Sequence, residues 1–304
     1  MGPSEKEAPL FMDKNRKARA RARYRRQRRL FFTAVALVAA LLIGLIIWIA
    51  TPDKEPEVEE TEPTTEETVP ETTINPYLID TPAERLVYFA KEKNLSISDW
   101  PQEMLTLLEN NPDAEEYVQN YPFLKDTLQD IDLSDQIGTG KVPRLYQWDA
   151  RWGYSKYGSG PMGLTACGPT CLSMACLYFL QDAKYTPRYV ADYAEENGYY
   201  VKGAGSTWTL FSKGAKELGL KVEAISPNSS VIMDRLKNGD LVVCAMGPGD
   251  FTTSGHFILL AGAQDGMAVI NDPNSPTNSE KLWKVSDFRD QISMLWAISA
   301  PEAE

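Results

Sequence analysis

Apolar and polar positions alternate differently along successive stretches of the chain, and each pattern predicts a different kind of segment. Residues 30–50, LFFTAVALVAALLIGLIIWIA, are 21 consecutive positions without a charge. At about 1.5 Å per residue a helix of that length spans about 30 Å, the hydrocarbon thickness of a bilayer. Residues 51–75 offer almost nothing to bury: nine acidic residues, one Lys, and many Thr and Pro. That composition predicts a disordered, self-repelling spacer. Residues 76–140 turn helical. Thr81-Pro82-Ala83-Glu84 has the capping-box pattern with Pro at the first helical position. Asn111-Pro112 and Tyr121-Pro122 read as further helix starts. These helices are short, so Leu86, Phe89, Leu105, Leu108, Tyr117 and Phe123 need an apolar partner, expected in the domain that follows.

Residues 141–300 mix both periods. Thr186-Pro187 opens a helix ending near Gly198, Ser206 could cap a helix ending at Gly219, and a third runs from about Ser230 to Gly239. Apolar runs follow at 241–246 (LVVCAM), 257–261 (FILLA), 267–270 (MAVI) and 294–298 (MLWAI). They read as strands, with Asp265-Gly266 as a hairpin turn. Helices first and an antiparallel sheet afterwards predict an α+β domain.

Charge changes the reading of the N-terminus. The 304-residue chain carries a net charge of −11, but residues 1–29 carry +8 and the rest −19. Arg19, Arg21, Arg23, Arg25, Arg26, Arg28 and Arg29 stand directly before the apolar span. Positive charge stays on the cytoplasmic side, so residues 1–29 read as a basic cytoplasmic tail and everything after Ala50 as extracellular. A cleaved signal peptide would have a shorter apolar core and end on small residues, whereas Trp48 precedes Ala50 here. The arginine run could bind nucleic acid, but a topology signal resting on anionic headgroups explains it fully, so no nucleic-acid partner is expected.

The chemistry concentrates in TACGPTCLSMACLYFL, residues 165–180, which hold three of the four cysteines; the chain has one histidine, His256. Pro169 suits a first helical turn, and the residues from Cys171 to Leu180 are almost all apolar, which predicts a helix buried on most sides. Cys171 and Cys176 lie inside it, where a thiol is an inert small hydrophobe. Cys167 lies at its N-terminus, where unpaired N–H groups and the helix dipole favour a thiolate. Gly168 is expected to leave room for a substrate. The competing reading is structural: an extracellular domain can hold disulfides, and Cys176 with Cys244 is the pairing to consider. His256 begins one predicted strand and Asp272 ends the next. An ideal two-residue turn at Asp265-Gly266 sets residue 259 opposite 272. Bringing 256 opposite 272 requires a longer loop centred on Gln264, or a bulge. DPNSPTNSE at 272–280 is rich in oxygen ligands but lacks the spacing of a calcium loop, and no zinc constellation is present, so no metal or cofactor is expected.

VPRLYQWDARWGYSKYG, ACGPTCLSM, GHFILLAG and INDPN, in that order, resemble the papain-fold cysteine peptidases similar to bacteriocin-leader peptidases, a cysteine peptidase family thirty-nine-like pattern, over about residues 141–300. The resemblance implies a papain-like fold, with a catalytic helix packed on an antiparallel sheet. It implies a nucleophile at Cys167, a base at His256, an orienting carboxylate at Asp272, and an oxyanion donor at Gln147 acting with the backbone N–H of Cys167. The bacteriocin-leader enzymes are fused to a transporter and act on the cytosolic side. An extracellular domain departs from that, so leader cleavage is not carried over. The resulting expectation is a single-pass, membrane-anchored extracellular thiol hydrolase of peptide or amide bonds, with a peptide or protein substrate. A cell-wall peptide hydrolase and a catalytically inactive peptide-binding module are the alternatives.

Overall fold

The computed structural model describes residues 81–302 other than 126 and 204. The basic tail, the apolar span and the acidic spacer lie outside the described residues. Among the described residues no helix is long and apolar enough to cross a membrane.

Three helices come first: α1 (Pro82–Glu92), α2 (Gln102–Asn110) and α3 (Glu115–Leu124). The capping box at α1 forms in both directions, with Thr81 Oγ1 accepting the Glu84 N–H at 3.2 Å and Glu84 Oε2 accepting the Thr81 N–H at 2.9 Å. Tyr121-Pro122, expected to open a helix, instead lies within α3. Proline has no N–H, so the carbonyl four residues earlier loses its helical partner. That carbonyl belongs to Val118, and the Trp100 indole N–H takes it at 2.6 Å. A tertiary hydrogen bond thus offsets the cost of an interior proline. Leu86, Met104, Leu108, Trp100 and Val118 close a small core that continues into Tyr154, Trp148 and Leu164 of the following domain. Leu86, Leu108 and Tyr117 are thus covered as expected and Phe89 and Leu105 pack against this core, whereas Phe123 stays half exposed, edge-on to Phe89.

That domain is built on a six-stranded antiparallel sheet in the order β5-β10-β6-β7-β8-β9. Its strands are β5 (Lys221–Ala224), β6 (Leu241–Met246), β7 (His256–Gln264), β8 (Met267–Asn271), β9 (Leu282–Trp283) and β10 (Ile292–Ser299). Two short hairpins precede it, β1–β2 (Lys156–Tyr157, Gly160–Pro161) and β3–β4 (Tyr200–Val201, Gly205–Ser206). The four predicted apolar runs are β6, β7, β8 and β10; β5 and β9 are added by the structure. Every residue of β6 is buried. Its alternate residues enter different cores. Leu241, Val243 and Ala245 join Phe257, Leu259 and Trp296 around α5 (Cys167–Leu180). Val242, Cys244 and Met246 join Ile258, Leu260 and Leu295 under α7 (Ser229–Lys237), which supplies Ile232 and Leu236. A strand covered on both faces reads as a continuous apolar run, as LVVCAM does.

Thr186 caps α6 (Pro187–Glu196), and Gly198 follows it with φ 73°, as expected from the sequence. Ser206 does not cap a helix: it lies in β4, and helical turns start only at Leu210. All four cysteines are free. Cys176 belongs to the core around α5 and Cys244 to the core on the other face of the sheet, so the considered disulfide cannot form.

The β7–β8 hairpin keeps the tight turn. Gln264 pairs with Met267, and Asp265 and Gly266 have φ values of 51° and 75°, the two positive angles of a type I′ turn. The register then shifts once, between Leu260 and Gly262, and Leu259 pairs with Asn271. The expected longer loop is absent and the alternative, a bulge, is present. One more step along this register sets Ile258 opposite Asp272. His256 and Asp272 are therefore diagonal neighbours on one side of the hairpin; without the bulge they would point to opposite sides.

Candidate active site

Cys167 is the first residue of α5, immediately after the short helix α4 (Met162–Thr165). Its side chain is partly exposed, whereas Cys171, Cys176 and Cys244 are fully buried. The helix N-terminus directs unpaired N–H groups and positive potential toward the sulfur. The glycine after it has a packing role. A Cβ on Gly168 would lie 2.6 Å from Ser206 Oγ, so glycine lets β4 approach the helix, and the space is filled by Ser206 rather than left for a substrate. Ser206 in turn shares a 2.8 Å hydrogen bond with the buried Tyr157 hydroxyl.

His256 opens β7. Its Nε2 lies 2.7 Å from Asp272 Oδ1, and the His256 and Asp272 side chains are only 7% and 1% exposed. This leaves Nδ1 as the ring atom for the Cys167 thiol, which lines the same cleft and whose pKa His256 lowers. Asp272 is held at every oxygen: Oδ1 also accepts the Asn274 N–H at 2.9 Å, Oδ2 accepts Asn278 Nδ2 at 2.9 Å, and its backbone N–H donates to Ser279 Oγ at 2.9 Å. Asn278 and Ser279 sit on α8 (Pro276–Glu280), capped by Ser275.

The protonation states follow from these contacts. Burial alone would raise the Cys167 pKa, but the His256 hydrogen bond and charge outweigh it. The N–H groups of Phe257 and Gly168 add to them and hold the thiol below its ordinary range. Burial would likewise neutralise His256, yet the Asp272 charge and hydrogen bond, and then Cys167, push its pKa up. Burial would raise Asp272, and His256, Asn278 and Asn274 bring it below the usual carboxylate range. Each shift favours a thiolate–imidazolium pair backed by a carboxylate. By contrast, burial pushes Cys171 well above a normal thiol, and Cys176 and Cys244 up as well.

Gln147 is buried between the two halves of this arrangement. Its Nε2 donates to the Gly163 carbonyl of α4 at 2.8 Å, and its backbone N–H donates to Pro273 O at 2.7 Å. An amide nitrogen has two hydrogens, so one donor remains. Its Oε1 is buried with no hydrogen-bond partner. The structure thus brings Cys167, His256 and Asp272 together and ties Gln147 to the segments on either side of them. The partners of Asp272 (Asn274, Asn278 and Ser279) were not singled out from the sequence. Their signal was the oxygen-rich run DPNSPTNSE, which reads as a turn.

Cys167 and His256 open onto a cleft of about 650 Å3. Its walls include Thr165, Tyr200, Ser206, Trp208 and Met246. Trp208 is half exposed at the rim.

The profile described as Peptidase_C39 like family matches residues 139–303. Among solved structures, the peptidase domain of Streptococcus ComA, a bi-functional ABC transporter involved in a quorum sensing pathway, is similar at 22% identity, with a TM-score of 0.34, over 45% of this chain and 92% of that one. A C39-like peptidase from Bacillus anthracis is similar at 15% identity, with a TM-score of 0.35, over 55% of this chain and 98% of that one. No curated protein matches the chain.

Proposed function

The chain belongs to the Peptidase_C39 like family and is a cysteine peptidase, and we propose that it cleaves peptide or amide bonds through Cys167, His256 and Asp272, with Gln147 as an oxyanion donor. The observation that carries this reading is the 2.7 Å contact of His256 Nε2 with the buried Asp272 carboxylate, the ring lining one cleft with Cys167 at the N-terminus of α5. In this reading the Cys167 thiolate attacks the substrate carbonyl carbon, and the oxyanion is met by the Cys167 N–H and the spare Gln147 Nε2–H. The His256 imidazolium gives its Nδ1 proton to the leaving amine, which departs and leaves a thioester on Cys167. The imidazole, now neutral, takes a proton from water; the hydroxide attacks the thioester, and the acid product leaves as the thiolate is restored. Asp272 holds Nε2–H throughout and fixes the tautomer.

The cleft walls named above are aromatic, apolar or hydroxyl-bearing, and His256 is the only basic or acidic residue among the described lining residues. The segment bound there is accordingly uncharged, of peptide or protein origin. The same proposal places the enzyme outside the cell on a single-pass anchor. The support is the uncharged span 30–50 directly behind the arginine cluster.

Two measurements test this. Cleavage of a peptide library by the full chain should vanish in Cys167→Ala and in His256→Ala, because the chain has no other histidine; turnover surviving either change refutes the mechanism. Protease shaving of intact cells should release the 81–302 region. Protection of that region, with cleavage of the N-terminus instead, would reverse the orientation.

A further inference from the structure

The helical segment α1–α3 lies outside the residues matched by the family profile, which begin at 139. Its one buried polar side chain among the described residues is Asn111, at the turn between α2 and α3, 6% exposed. Asn111 Nδ2 donates to the Asn274 carbonyl, which also accepts the Trp148 indole N–H at 3.1 Å. The N–H of the same residue, Asn274, donates to Asp272 Oδ1. A second link runs beside the first. Thr277 Oγ1 donates to Asp113 Oδ2 at 3.2 Å, and Thr277 lies on α8, whose Asn278 donates to Asp272 Oδ2.

We propose that Asn111 and Asp113 are positioning residues: from outside the family-matched domain they clamp the 274–278 loop and so fix both oxygens of Asp272 against His256. Oδ1 is reached through one residue of the loop, Asn274, and Oδ2 through two neighbours, Thr277 and Asn278. A carboxylate orients an imidazole only as well as its own hydrogen-bond donors are held. The Asn274 N–H and the Asn278 amide are both set by a loop of nine residues, 272–280, whose anchors on the helical side are Asn111 and Asp113. Packing supports the clamp without replacing it: Tyr117 OH donates to Gly153 O at 2.9 Å, and Leu164 of α4 packs into the helical core. Loss of the clamp leaves Asp272 in place but loosens its aim. The effect is on the ion pair, not on the fold.

This inference rests on the assignment of Asp272 as the group that orients His256, and the test separates the two. The full chain is alkylated with limiting iodoacetamide across a pH series, and the label on Cys167 is followed by mass spectrometry; no substrate is needed. Asn111→Leu should label about tenfold more slowly at neutral pH, with its pH midpoint moved upward toward that of free thiols. In an Asp272→Asn background the same change should have no further effect, because both act on one group. A folded Asn111→Leu protein with the wild-type rate and midpoint overturns the proposal, as does an undiminished effect in the Asp272→Asn background. Should Asn111→Leu fail to fold, Thr277→Val decides: it removes an exposed hydroxyl and cuts only the second link. It should give a smaller shift, about two- to threefold, in the same direction. A wild-type profile there counts against the clamp. Failure of the underlying reading looks different: Asp272→Asn itself would then leave the Cys167 midpoint unmoved.

Discussion

Asp272→Asn keeps the shape of the side chain and removes its charge, so its effect reads out what the carboxylate does for the ion pair. In the native protein Asp272 accepts from His256 Nε2, Asn274 N–H and Asn278 Nδ2. An asparagine can keep the first two as neutral bonds. It sets its own amide N–H groups against the Asn278 amide and loses the third. Hydrogen bonds to charged groups contribute about 1.5–3 kcal/mol and neutral ones about 0.5–1.5 kcal/mol. Only the first bond has His256 as its partner, so the exchange of an ion pair for a neutral acceptor removes about 2–3 kcal/mol from the charged state of His256, about a hundredfold in the ion-pair population. The raised His256 pKa falls, because the Asp272 charge and hydrogen bond are the largest influences raising it. Without an imidazolium beside it, Cys167 loses what held its pKa down. The kcat/KM at neutral pH should fall about a hundredfold, and the alkylation midpoint of Cys167 should rise toward an ordinary thiol. Stability follows the same linkage. The stabilisation from a His256 pKa raised to about 10 is fully present below the unfolded value of 6.5 and lost as pH rises through about 10. That from the lowered Asp272 is present above 3.8 and lost as pH falls through its folded value. The difference in Tm between wild type and variant should be widest between these limits, from 3.8 to 6.5, and close above about 10. A variant within threefold of wild type in rate, with an unmoved thiol midpoint, would refute this account of the site.

Gln147→Ala should lower kcat by about a hundredfold with little change in KM, as expected when one oxyanion donor is removed, and should leave iodoacetamide labelling of Cys167 unchanged; slowed labelling would make it a structural residue instead. Limiting iodoacetamide should mark Cys167 before Cys171, Cys176 and Cys244, whose thiols burial pushes up; equal labelling of all four in the folded protein would contradict the assignment. Trp100→Phe should cost about 1–3 kcal/mol in denaturant unfolding, because it strands the Val118 carbonyl that Pro122 has already left without a helical donor. Pairing it with Pro122→Ala, which restores the N–H, should recover much of that loss.

The parts of the fold set by local patterns were legible in the chain. The Thr81 capping box, the Thr186 cap and the buried β6 run each carry their signal within a few residues. Tyr121-Pro122 misled because the donor that tolerates an interior proline, Trp100, is 18 positions from Val118. Ser206 misled because its partner is Tyr157, on another hairpin. β5 was missed: it is short, only one of its residues is not exposed, and it joins the sheet solely by pairing with β10, some 70 residues later. Cys167, His256, Asp272 and Gln147 could be singled out from sequence motifs, but the supports of Asp272 could not. Asn, Ser and Pro in 272–280 spell a turn whether or not a carboxylate sits inside it.

The hairpin shows why the pairing of His256 with Asp272 needed coordinates. Side chains on a strand alternate, so a single-residue change of register moves one of two facing side chains to the opposite side. The Asp265-Gly266 turn fixes the register as far as Gly262 and Val269. Continued without interruption it would set Leu259 opposite Asp272 and turn His256 away from it. The extra residue, Ala261, moves the register by one and brings the two onto the same side, offset diagonally by two positions. The diagonal suits the chemistry better than direct opposition would. It leaves His256 three residues beyond Leu259, the partner of the last residue of β8, where its second ring nitrogen can meet a sulfur at the N-terminus of α5, while the carboxylate stays buried among its own donors. A bulge carries no residue signature of its own in GHFILLAGAQDG, since Ala261 would be equally at home in a regular strand. The decisive feature of the site is therefore one residue of spacing, expressed only when both ends of the hairpin are held: by the I′ turn at one end, and by the contacts of Asp272 at the other.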